Sequence, residues 1–252
     1  MATPMVATTR RERRAAERAA RPRGHRRARS TGGRLNLQTL SLAGLLGGMA
    51  LVAVAIVFGS PPSDRADDTE MVVAVAPAGV ATDGFVLGSP DAPVTIELFE
   101  DFQCPACAAW SRTVFPLLAT NELAAGTVKI VFHDMAFLGT ESADAGRAAY
   151  AAAQQGRFWD IWATLYANQG RENSGAFSRA RLLAMAHRLG LDEARFQADM
   201  DSAAAAAAIE ASRAAARGAG ITSTPTLIVG GEVLVGVQPY PELAAAIAAA
   251  AR

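Results

Sequence analysis

Cys104 and Cys107 are the only cysteines in the 252 residues, set as Cys-Pro-Ala-Cys within the stretch FEDFQCPACAAW. A pair at this spacing suits three chemistries: half of a metal site, a structural disulfide, or a redox couple. A zinc site needs two further ligands, and beyond the N-terminal region the chain offers His133 and His187 with no second Cys-x-x-Cys. A purely structural disulfide would close a very short loop, and the stabilisation from a cross-link grows with loop length. Thiol–disulfide exchange is the reading that the surrounding sequence favours.

The residues CPACAAWSRTVFPLLAT predict a helix whose inner stripe is Cys107, Trp110, Val114 and Leu117, kinked at Pro116. With Cys104 as N-cap and Pro105 as the first helical residue, the amides of Ala106 and Cys107 are free to donate toward the Cys104 sulfur. Those donors and the helix dipole stabilise a thiolate and lower its pKa. Cys104 is therefore expected to be the exposed, attacking sulfur and Cys107 the less accessible resolving partner. The absence of other cysteines also spares a mixed disulfide from capture by the protein's own thiols.

The elements that position this pair are legible on both sides. GFVLG (84–88) and APVTIELFE (92–100) read as strands, and TVKIVFH (127–133) as the strand after the cysteine helix, a βαβ arrangement. Residues 141–217 carry almost only helical signals, punctuated by Gly156 and Gly190. TPTLIVGGEVLVG (224–236) reads as a hairpin turning at Gly230-Gly231, and Pro241 opens a closing helix. The expected architecture is α/β, a small mixed sheet interrupted by an all-helical insertion. Trp110, Trp159 and Trp162 fall at helical core positions. Glu100 and Asp101, just ahead of the cysteines, read as a solvated turn.

Upstream, residues 1–34 carry eleven Arg against Glu12 and Glu17 in a chain whose formal net charge is zero. LSLAGLLGGMALVAVAIVF (40–58) is an almost unbroken apolar run, long enough as a helix to cover about 28 Å of bilayer. The expected organisation is a basic disordered cytoplasmic tail (1–34), a single transmembrane anchor (35–59), a linker (60–82) and a folded domain (83–252). The charge asymmetry places the N-terminus in the cytoplasm and the folded domain outside it, where protein disulfides form. A cleaved signal peptide, with small residues near 74–81 as the cut site, is the alternative. The basic tail has no aromatic residue to stack on bases, so the lipid bilayer is its expected partner, and not nucleic acid.

The segments DGFVLGSPDAPVTIELFEDFQCPACAAW, AAYAAAQQGRFWDIWATLYANQ and GITSTPTLIVGGEVLVG together resemble the DsbA-like branch of the thioredoxin superfamily, in particular its membrane-anchored bacterial thiol:disulfide oxidoreductases. The resemblance runs from about Asp83 to Ala250. It implies a thioredoxin fold with an inserted all-helical domain, and a cis Pro225 packed across from the cysteine pair with Thr224 beside the active sulfur. It also implies that Pro105, Ala106 and Thr224 tune the redox potential. Many relatives carry an acidic residue six positions before the first cysteine, where it helps move the proton of the second thiol. Leu98 stands there in this chain, with Glu97, Glu100 and Asp101 nearby.

The expected function is disulfide exchange at Cys104 and Cys107 on exported cysteine-containing proteins. No cofactor beyond the disulfide is expected, and a membrane redox partner would recycle the pair. Ala106 supplies neither charge nor hydrogen bond, which points to an oxidase of intermediate strength. A reductase or isomerase, or a non-catalytic membrane-tethered polypeptide-binding module, are the alternatives.

Overall fold

The computed structural model describes residues 71–252. The basic tail and the anchor expected at 35–59 lie outside the described residues, and no helix among those described is long and apolar enough to cross a membrane.

Six strands form one sheet in the order β1-β2-β4-β3-β5-β6. They are β1 (Thr82–Asp83), β2 (Val86–Gly88), β3 (Val94–Glu100), β4 (Val128–Asp134), β5 (Thr226–Val229) and β6 (Glu232–Val235). β3 and β4 run parallel, which requires the crossover that the cysteine helix provides, and the other pairings are antiparallel. Alternation sorts the central strands into two faces. Ile96, Leu98 and Glu100 on β3 lie beside Ile130, Phe132 and Asp134 on β4, all turned into the main core. Glu97 and Phe99 face the other way, beside Val131 and His133. At the β5–β6 hairpin Gly230 and Gly231 have φ of 57° and 91°, the left-handed pair that a two-residue turn demands.

The cysteine helix, α1 (Pro105–Thr113), is followed by the short α2 (Phe115–Leu118) and a π-turn (Ala119–Leu123). Cys107, Trp110 and Val114 are buried as their spacing predicts, but Leu117 is 45% exposed and Leu118 is fully buried in its place. Three turns of about 3.6 residues counted from Cys107 end at Leu118, so the inner stripe steps on from Val114 by four residues and not by three. The helical region comprises α3 (Thr140–Ala153), α4 (Phe158–Ala167), α5 (Arg179–Arg188), α6 (Glu193–Met200) and α7 (Ala203–Gly218), and α8 (Tyr240–Ala250) closes the chain.

Aromatic rings join α1 to α4. Trp110, Phe115, Trp162, Trp159 and Phe158 form a chain with successive ring centroids 4.8–5.8 Å apart. The three tryptophans are at most 2% exposed, so they pack the core. Buried aromatic pairs each contribute about 0.5–1.5 kcal/mol beyond the area they cover, which ties α4 firmly against the cysteine helix.

Part of the stretch expected as linker is fixed to the domain. Asp160 Oδ1 accepts from the Ala76 amide at 2.8 Å. Thr164 Oγ1 accepts from the Ala74 amide at 3.2 Å and donates to the Ala74 carbonyl at 2.8 Å. Asn168 brackets Val72 with bonds of 2.9 and 2.6 Å. Four helical residues rise about 6.0 Å and two extended residues about 6.6 Å, so polar side chains at i, i+4 and i+8 meet every second backbone unit of an antiparallel strap. Met71 buries its side chain at the far end.

Candidate functional site

Cys104 is the N-cap of α1, in extended conformation, and Pro105 is the first helical residue. A proline is tolerated there because its missing N–H would have had no helical acceptor. The Cys104 carbonyl already accepts the first helical bond, from Ala108 at 3.1 Å. The amides of Ala106 and Cys107 are left to face the sulfur. Both cysteines are free thiols, Cys104 7% and Cys107 0% exposed. Cys104 is thus far less open than an attacking sulfur was expected to be, although it is the more accessible of the two.

Across from α1, the peptide bond between Thr224 and Pro225 is cis. In its protonated form Cys104 donates from Sγ to the Thr224 carbonyl at 3.4 Å. The Thr224 hydroxyl, buried with no nitrogen or oxygen partner among the described residues, lies beside the same sulfur. Pro225 is buried, Ala106 half-buried and Pro105 exposed.

The two thiols are driven apart electrostatically. A hydrogen bond from the Cys107 thiol, helped by the Thr224 hydroxyl and by the amides of Cys107 and Ala106, outweighs burial and brings Cys104 from 9.0 down to about 6. Cys107 is pushed far up, first by burial, then by the hydrogen bond it donates to the Cys104 sulfur and by the charges of Glu100 and Cys104. Near neutral pH the pair therefore holds one thiolate, on Cys104, and one proton, on Cys107. This is the state poised for exchange.

Glu100 and Asp101 are both fully buried, contrary to the solvated turn expected from sequence. The turn is roofed by elements distant in the chain: Trp162 and Tyr166 of α4, and the loop at Phe137–Leu138. Trp162 Nε1 donates to Glu100 Oε2 at 2.9 Å, whereas Oε1 has no partner among the described residues. Burial raises the Glu100 carboxyl from 4.5 to about 8, against the hydrogen bonds of Trp162 and Tyr166 and with smaller contributions from Cys104 and Asp134. Glu100 is thus an acid that titrates near neutrality within electrostatic reach of both sulfurs. The position six before Cys104 is filled by Leu98, fully buried between Phe132 and Leu227.

Asp101 serves a different end. Its Oδ1 accepts from the Gln103 amide at 2.8 Å and from Ser142 Oγ at 2.7 Å, and its Oδ2 from the amides of Phe137 and Leu138 at 2.8 and 3.0 Å. Four donors fix this carboxylate and clamp the cysteine turn to the start of α3. Gln103 extends the clamp, donating to Ser142 Oγ at 3.0 Å and accepting from the Asn173 amide at 2.6 Å. Gln169 Nε2 donates to the carbonyls of Phe102 and Cys104 at 2.7 and 3.0 Å. None of Gln103, Ser142, Gln169 or Asn173 carries a local signal, since their spacings from the cysteines are set by the tertiary fold.

The two histidines among the described residues lie apart from the site. His133 bonds Glu97 at 2.5 Å and stacks on Phe99 on the opposite face of the sheet, and His187 pairs with Glu193 at the surface. Neither comes to the cysteines.

A family model described as thioredoxin matches residues 81–249. A thioredoxin-like oxidoreductase from Silicibacter pomeroyi matches at TM-score 0.57 and 31% identity, over 66% of this chain and 90% of that one. Oxidised BdbD of Bacillus subtilis matches at TM-score 0.63 and 25% identity, over 67% and 93% of the two chains. The probable disulfide bond formation protein D of Bacillus cereus is 35% identical over 102 residues, 39% of this chain. The chain spans about half the length of the curated relatives of that type, 47% and 46% of the two Bacillus proteins.

Proposed function

The chain belongs to the thioredoxin family, in its DsbA-like branch, and on that premise we propose that it is a thiol:disulfide oxidoreductase that forms disulfides in exported proteins. The observation that carries this reading is the opposed titration of two thiols at one helix N-terminus, with Cys104 Sγ 3.4 Å from the Thr224 carbonyl.

The reaction starts from the Cys104–Cys107 disulfide. A client thiolate attacks Sγ of Cys104, the bond to Cys107 breaks, and Cys107 leaves with the electron pair. Its proton affinity is high because it is buried, and Glu100 is the acid beside it that is protonated at neutral pH. A second client thiolate then attacks the client sulfur of the mixed disulfide. Cys104 departs as the stabilised thiolate, the client is oxidised and the cysteine pair is reduced. Glu100 thereby fills the part that Leu98 cannot.

Stabilising the leaving Cys104 thiolate stabilises the reduced form and makes the couple more oxidising. That is why an oxidase is favoured over a reductase or isomerase. No cofactor beyond the disulfide is required, and a redox partner in the membrane would reoxidise the pair. The apolar run at 40–58, with the arginines ahead of it, supports a single-pass anchor holding the domain outside the cytoplasm.

The direct test is oxidation of a dithiol peptide by the oxidised full chain in detergent, with Cys104→Ser alongside. Loss of activity in the variant is expected, and activity that survives it refutes the proposal. Rapid alkylation in cells reads the direction of flow: a pair held mostly as disulfide indicates an oxidase, and a pair held mostly as dithiol a reductase or isomerase.

A further inference from the structure

Gly146 sits in the middle of α3, where glycine costs about 1 kcal/mol relative to alanine. The other buried residues of that helix are Ser142 and alanines. A Cβ at 146 would overlap Oδ2 of Asp134, so the glycine makes room for a carboxyl. Asp134 ends β4 and is 7% exposed. Its Oδ1 accepts from the Ala136 amide at 3.0 Å, while Oδ2 is buried with no partner among the described residues. The carboxyl borders a cavity of about 30 Å³ between β4, α3 and α7, whose wall also includes Phe132, Tyr150, Ile209 and Ser212. That volume holds about one or two waters. Tyr150 and Ser212 are partly exposed, so the cavity lies one layer beneath the surface.

Asp134 is the register partner of Glu100 on the neighbouring parallel strand, where backbones lie about 4.8 Å apart, and the two side chains share the core face and interact electrostatically. Each has one buried oxygen without a partner. Glu100 and Cys107 are both fully buried, and in the mixed disulfide the client covers Cys104, the more open side of the pair. A proton lent by Glu100 must then be replaced from elsewhere. We propose that Asp134 and the cavity beneath it are the route by which Glu100 exchanges its proton with solvent while a client occupies Cys104.

This inference rests on the proposed function. When the Cys104–Cys107 bond breaks, the electron pair goes to Cys107, Glu100 gives it a proton, Asp134 restores Glu100, and a cavity water passes one proton from bulk to Asp134. The client dithiol is the only reductant. The titratable and charged groups around Asp134 are Glu100 and Asp101 from β3 and the turn after it, Arg213 from α7 and Tyr166 from α4, which interact with it electrostatically, and Tyr150 from α3, which shares its cavity. His133 precedes it on β4 but faces the other way. Burial, then the Asp101 charge, hold Asp134 protonated well above the ordinary range, against the Ala136 amide and Arg213, so it has a proton to give.

The test is stopped-flow reduction of the oxidised full chain in detergent by a dithiol peptide from pH 5 to 9, with Asp134→Ala and the volume-conserving Asp134→Asn. Both variants should slow the step at neutral pH by about tenfold or more. Added formate should restore Asp134→Ala but not Asp134→Asn, and the alkylation profile of Cys104 should not move. Parental rates in both variants, or a loss that formate does not restore, overturn the relay. A parental chain that fails to exchange with the peptide at all overturns the proposed function, and the relay with it.

Discussion

Trp162 on α4 donates its indole N–H to Glu100 at 2.9 Å, across 62 residues of sequence, and so holds a buried acid beneath the cysteine pair. Glu100→Gln keeps the shape and removes the titration. The exchange step of this variant should lose its dependence on a group near pH 8 and slow by about a hundredfold at neutral pH. Rapid-mixing kinetics against pH are the check.

The same acid leaves a mark on stability. A carboxyl raised from 4.5 unfolded to about 8 folded binds more protons in the native state between those values. Its cost is absent below pH 4.5, grows as pH rises, and is complete above 8, on the order of 5 kcal/mol. Denaturant unfolding of the oxidised protein, in which Cys104 does not titrate, should show parental stability falling between pH 5 and 8. Glu100→Gln should fall distinctly less.

For Cys104, the rate of iodoacetamide alkylation of the reduced protein should titrate near pH 6 instead of 9. Its thiolate contributes stability to the reduced form that is fully present above pH 9 and lost as pH falls through 6. Thr224→Val removes the hydroxyl beside the sulfur and should move the alkylation midpoint upward. A midpoint left in place would show that the hydroxyl has no part in holding the thiolate.

Asp101 satisfies four donors at once, so Asp101→Ala strands buried N–H groups that each cost about 1–3 kcal/mol. Thermal unfolding should show a large loss of stability. Asp101→Asn, which keeps one acceptor oxygen, should lose less.

Much of this arrangement is written in local pattern. The strand before the cysteines, the proline opening α1, the glycines that end helices and the Gly-Gly hairpin are each decided by neighbours in sequence. The burial of Glu100 and Asp101 is not. The run EDFQ looks like a turn until Trp162, Tyr166 and Phe137 are folded over it. The strap at 72–76 has no periodicity of its own, and its signal lies ninety residues on, where Asp160, Thr164 and Asn168 form a polar stripe on an otherwise apolar helix. Leu117 falls off the buried stripe because a spacing of three after Val114 stops short of the third full turn from Cys107, which ends at Leu118.

That strap is testable by itself. Thr164→Val deletes the hydroxyl that both accepts from and donates to Ala74, and should cost about 1–3 kcal/mol. Protease cutting within residues 71–76 should be slow in the parent and faster in the variant.

Oxidation of client proteins by these cysteines is set by their reduction potential. Equilibrating the full chain in glutathione buffers and counting the Cys104–Cys107 disulfide measures it directly. A potential between those of thioredoxin and DsbA, about −270 and −120 mV, is expected. A value at or below that of thioredoxin would contradict it.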